Sequence, residues 1–206
     1  MSIRLPYFLL ASYMTLFVIC GIAPFDRAVW WAENLPIVVL VAIIAWFHRS
    51  HKFSNLSYFF MTFLIVLHTI GGHYTFERVP FDWVTDFFSF ERNHYDRIAH
   101  FSVGFYAFPI AEVLLKRQQV QSIFILLSYP VLAIVTLAGI YEVFEWQYAI
   151  SADESAGIAV LGSQGDIWDA QKDILADTLG SLVAITIFYA RYRPALTRLS
   201  NCGHPT

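Results

Sequence analysis

Four aspartates, Asp166, Asp169, Asp173 and Asp177, follow one another at intervals of three, four and four residues in GSQGDIWDAQKDILADTLGS. On a helix this spacing stacks the four carboxylates along one face. Like charges so placed destabilise a helix unless they bind cations or some carry protons. A solvated helix start helped by the macrodipole accounts for Asp166 and Asp169. It does not account for Asp177, which lies about a turn inside an apolar run, with Gly180 and Ser181 beyond it to admit a close-packed neighbour.

Three further segments place ionisable groups at the ends of apolar runs. GIYEVFEWQYAI carries Glu142 and Glu145 on neighbouring positions of one helical face. NHYDRIAHFSVGF sets Asp96 and His100 four residues apart, so that both can address one ligand; Asp96 can equally cap its helix and pair with Arg97 or Arg92. VLHTIGGHY places His68 inside a run and His73 just past a glycine pair. Mixed imidazole and carboxylate donors suit Zn, Mn or Fe, and carboxylates alone suit Mg or Ca. The metal-ligand set read from these residues is His100, Glu142, Asp173 and Asp177, with Asp96 and His73 as further donors. Glu145 or His68 would handle protons. The competing explanation is an internal ion-pair network, but Arg92, Arg97 and Lys172 are too few to pair with these acids one for one.

The elements that must position these groups are membrane helices. Of 206 residues 57% are hydrophobic and only 14% charged, far from the balance of a soluble globular domain. Charged residues fall in short clusters between apolar runs close to the twenty or so residues that span a hydrocarbon core. The expected architecture is all-α: a single integral membrane domain over 1–206, a polytopic transmembrane helical bundle of about six helices. Its spans are expected at about 5–23, 31–47, 56–70, 98–115, 123–146 and 174–190. Segments 71–96, rich in aromatics, and 151–172 are expected to lie in the outer interface.

Orientation follows from the basic residues. With both termini cytoplasmic, the inner segments hold Arg4, Arg49, Lys52, Lys116, Arg117, Arg191, Arg193 and Arg198, eight of thirteen cations. Of sixteen acids only Glu112 then falls in the cytoplasmic half. Asp26, Glu33, Asp153 and Glu154 read as acids tolerated in translocated segments, without a job of their own. The two cysteines, Cys20 and Cys202, fall toward opposite sides of the bilayer, so no disulfide is expected. Neither a Gly-rich phosphate loop nor a basic nucleic-acid patch is present in the sequence.

The segments HTIGGHYTF, YEVFEW and GDIWDAQKDILADTLGS, with the length and span pattern, resemble the YjdF-type family of uncharacterised bacterial inner-membrane proteins. The second half is also similar to the VanZ-type membrane family, associated with resistance to glycopeptide antibiotics. Here Asp96, His100 and Phe101 match its D-x-x-x-H-F element, and Glu142 or Glu145 with Gln147 its embedded Glu and Gln. Asp173, Asp177 and Gly180 match its D-x-x-x-N-x-x-G helix, with Asp177 in place of the usual Asn. Both resemblances imply a multi-pass protein of the bacterial inner membrane and supply no reaction. The residues themselves lead to a divalent-metal enzyme (Zn, Mn, Fe or Mg) acting at the outer face on a lipid or lipid-linked envelope substrate. A small ion- or proton-coupled carrier and a non-catalytic envelope protein are the alternatives, and the lipid bilayer is the partner common to all three.

Overall fold

A backbone in hydrocarbon must satisfy its own hydrogen bonds, and helices do so within one segment. The computed structural model describes residues 4–151 and 163–202, and among these the apolar runs are all helical. The elements are α1 (Arg4–Gly21), α2 (Arg27–Ser50), α3 (Asn55–Tyr74), α4 (Asp82–Phe88), α5 (Tyr95–Val103), α6 (Ala107–Lys116), α7 (Ile123–Ser151) and α8 (Asp169–Cys202). Among the described residues six helices are long and apolar enough to cross a membrane: α1, α2, α3, α5 with α6 as Tyr95–Lys116, α7, and α8 over Asp169–Thr197. The all-helical, six-span expectation holds. Part of the expected interfacial segment 151–172, including Asp153 and Glu154, lies outside the described residues.

Several helix ends differ from the sequence reading. The second helix begins at Arg27 rather than 31, because the Asp26 carboxylate caps it by accepting from the Ala28 and Val29 amides at 2.8 and 2.9 Å. The last begins at Asp169 rather than 174. Gln164 and Gly165 take positive φ (57° and 81°) and break the chain just before it, so Asp166 stands ahead of the helix and the four-aspartate stack becomes three.

The chain divides within α5 into two compact units, Met1–Ala99 and His100–Thr206. In the first, α1 and α2 both pack on α3 around Tyr13, Ile37 and Ile65. Phe8, Val18 and Ile19 of α1 are exposed, as expected of a lipid-facing surface. Thr75 and Phe76 turn the chain at the end of α3 with left-handed backbone, and the Phe76 ring lies over Gly71, where a methyl group would meet it at 2.5 Å. The short α4 that follows exposes Trp83, Phe87 and Phe88, large aromatics of the kind that lie at a membrane interface.

In the second unit α7 packs along α8, and α6 packs on both. A 3-10 turn, Gly104–Tyr106, joins α5 to α6. Its cause is local: Pro109 has no N–H to give the Phe105 carbonyl, and the Ala107 amide turns back to Gly104 and Phe105 instead. At this turn α5 and α8 touch backbone to backbone. A methyl group on Gly180 would overlap the Phe101 carbonyl oxygen, and one on Gly104 would overlap the backbone of Asp177, Gly180 and Ser181. Neither obstacle is a flexible side chain, so the two glycines set the interhelical distance.

This crossing should be sensitive to a single carbon. Gly180→Ala is expected to destabilise the detergent-purified protein by about 1–3 kcal/mol, the range for overpacking. Gly139 of α7 has open space around its Cα, so Gly139→Ala should be neutral or gain up to about 1 kcal/mol from helix propensity. Thermal midpoints of the two variants decide this, and equal midpoints would contradict the close crossing.

Candidate metal centre

One turn before Gly104 on α5 stands His100, and one turn before Gly180 on α8 stands Asp177, so the glycine crossing brings the two side chains together. Nδ1 of His100 is 3.4 Å from Asp177 Oδ2, and Nε2 is 3.6 Å from Asp173 Oδ1. The aspartate side chains are 4% and 2% exposed and the imidazole 13%. A carboxylate this deep among apolar helices requires a partner. Here one ring lies between two of them.

Helix α7 completes the cluster. Tyr141 presents its ring edge to the imidazole at 6.4 Å between centroids. The Glu142 carboxyl is half-buried and lies within electrostatic range of His100, Asp173, Asp177 and Asp169. Asp169, at the start of α8, is also buried. The carboxylates of Asp169, Asp173, Asp177 and Glu142 and the His100 imidazole thus influence one another electrostatically.

The two faces of the ring are not equivalent. In the tautomer with its proton on Nδ1, the ring donates to Asp177 and turns the Nε2 lone pair toward Asp173. Charge-assisted N–H···O bonds run at about 2.7–2.9 Å, shorter than both the 3.4 Å from Nδ1 to Asp177 and the 3.6 Å from Nε2 to Asp173. Two ligands of a tetrahedral cation, each bound at about 2.0–2.2 Å, are separated by roughly 3.3–3.6 Å. The donor types and the Nε2 spacing are compatible with a divalent ion, and Asp177 is placed to orient the ring.

The remaining residues singled out in the sequence fall as follows. Asp96 is one turn before His100 on α5, and Arg97 lies 3.6 Å from its carboxylate. Glu145 follows Glu142 by one turn on α7 and is half-buried. Asp166 pairs with Lys172 at 2.6 Å and accepts from the Trp168 amide at 3.1 Å, which is the work of a helix-entry residue.

His68 and His73 belong to the first unit and have partners there. His68 Nε2 lies 3.1 Å from Glu33 Oε2, so Glu33 is a partner of a membrane histidine rather than a solvated loop acid. Its position in α2 ahead of the fully buried Asn34 was the available signal, because a polar pair inside a helix with an apolar continuation has to be met by a neighbour. His73 Nδ1 donates to the Cys20 carbonyl at 2.7 Å, and the Phe25 amide donates to the His73 carbonyl at 2.9 Å. These bonds tie the α1–α2 connection to the end of α3.

The family model described as "Predicted membrane protein (DUF2238)" matches residues 5–194. The inner membrane protein YjdF of Escherichia coli (strain K12) is 29% identical over 192 residues, covering 91% of each chain. No solved structure matches. The resemblance read from HTIGGHYTF, YEVFEW and GDIWDAQKDILADTLGS therefore holds along nearly the whole length.

If His100 is the shared partner of two buried carboxylates, its removal should cost more than an ordinary surface change. His100→Phe is expected to lower stability by about 3–5 kcal/mol, the range for breaking a buried pair from one side. The double variant His100→Phe/Asp177→Leu should regain part of that loss. Thermal unfolding in detergent reads both, and a His100→Phe midpoint equal to that of the native chain would refute the pairing.

Proposed function

We propose a function for a chain that belongs to the DUF2238 family of predicted membrane proteins and is a multi-pass protein of the bacterial inner membrane. The cluster of His100, Glu142, Asp173 and Asp177 is a divalent-metal centre acting on lipid or lipid-linked envelope substrates at the outer face. The observation that carries this reading is the imidazole set between two buried aspartates, hydrogen-bonded to Asp177 and at ligand spacing from Asp173.

Depth supports the substrate class. His100 is five residues into α5, Asp173 and Asp177 four and eight into α8, and Glu142 nine from the end of α7. At about 1.5 Å per residue the cluster lies roughly 6–14 Å from the helix ends. That is the level at which a bilayer places its headgroups and glycerol esters, within reach of a lipid without removing it from the membrane. The bias of basic residues to the opposite helix ends orients this face outward.

Within the proposed site the residues divide the work. Asp173 and His100 Nε2 would hold the ion, Asp177 would fix the ring, and Glu142 would lend its charge from α7. A divalent cation there supplies Lewis-acid polarisation of a phosphoryl or carbonyl oxygen. Glu145, one turn along α7, would take up the proton released by an attacking hydroxyl. The carrier reading is weaker because Glu112, the acid at the opposite ends of the spans, is fully buried and paired with Lys116. An ion pair of that kind neutralises the carboxylate a relay would use.

Elemental analysis of the detergent-purified protein is expected to find about one divalent ion per chain. It should be lost from Asp173→Ala/Asp177→Ala protein that still elutes as a folded species. Readdition of Mn²⁺ or Zn²⁺ after chelation should raise the native thermal midpoint and leave that of the double variant unchanged. No metal in the native protein and no shift on addition would exclude the centre.

A further inference from the structure

The first unit contains a feature the metal centre does not use. Between α1, α2 and α3 lies a cavity of about 140 Å³. Val41, Ile44, Met61 and Ile65 make its apolar wall, while Tyr7, His48 and Tyr58 line it toward one set of helix ends. The His48 ring is hydrogen-bonded to the Tyr58 hydroxyl and stands edge-on to Tyr7, which gives the cavity a polar end. An apolar hollow of this kind excludes water and suits an aliphatic chain.

The same helix ends are cationic. Arg4 lies two residues before Pro6 of the lining, and Arg49 directly follows His48; both are exposed. Lys52 Nζ reaches the His48 carbonyl at 2.7 Å, so its ammonium is at the polar end of the cavity. No acid occurs in residues 1–25 or 34–76, the segments that form the cavity and its rim. This local positive field has no counter-charge within those segments, and a zwitterionic headgroup with its own ammonium would complement it poorly.

We infer that the cavity is a binding site for an anionic phospholipid, with an acyl chain between α1, α2 and α3 and the phosphate among Arg4, Arg49 and Lys52. The site is independent of the metal centre, and its residues all belong to the first unit. The chain supplies affinity through the apolar wall. The three cations supply selectivity for headgroup charge.

Native mass spectrometry of the full-length protein in detergent tests this with phosphatidylglycerol and phosphatidylcholine of matched chains, and with glycerol phosphate as a headgroup lacking chains. Phosphatidylglycerol adducts should survive at activation energies that strip phosphatidylcholine. Arg4→Gln/Arg49→Gln/Lys52→Gln, at exposed positions, should weaken them by roughly tenfold or more. Ala45→Phe, which fills the cavity, should weaken them with the cations intact. Should Ala45→Phe fail to fold, Thr62→Leu serves as the milder filling variant. Equal retention of both lipids, adducts unchanged in the charge variant, or competition by glycerol phosphate as strong as by the lipid would each overturn the proposal.

Discussion

A charge among apolar helices has to be neutralised where it stands, and in the second unit that demand converges on His100. The imidazole is positioned by two glycines rather than by its own bonds. Gly104 and Gly180 bring the α5 and α8 backbones into contact, and His100 and Asp177 stand one turn away on each helix. A larger residue at either glycine would move the ring away from both carboxylates. Packing of the helices and chemistry of the site are therefore one constraint.

The charges elsewhere are resolved differently. Lys116 neutralises Glu112, Lys172 neutralises Asp166, and Glu33 meets His68. At His100 one ring lies between two buried carboxylates, at 3.4 and 3.6 Å, wider than charge-assisted bonds. The proposed divalent ion would supply positive charge at that ligand spacing.

Much of this was legible in the sequence. Run lengths gave six spans, and the aspartate spacing put Asp173 and Asp177 on one helical face. Gly180 was readable as a close-packing residue, but its partner Gly104 was not, since periodicity along one helix carries no information about which helix lies against it. The start of α8 was displaced because backbone turns at Gln164 and Gly165 decide it, and these leave no hydrophobic signature. Glu33 was misread for a related reason. Glu33 already falls inside the expected span 31–47, but nothing along its own helix shows that His68 of α3 faces it.

The central claim is that Nε2 of His100 is a metal ligand while Nδ1 is held by Asp177. Pulsed electron paramagnetic resonance of Mn²⁺-loaded protein, with histidine labelled by ¹⁵N, addresses it directly. The account predicts coupling to a single directly coordinated imidazole nitrogen, abolished in His100→Gln and retained in His73→Gln. A Mn²⁺ signal with no nitrogen coupling, or one unaffected by His100→Gln, would contradict it.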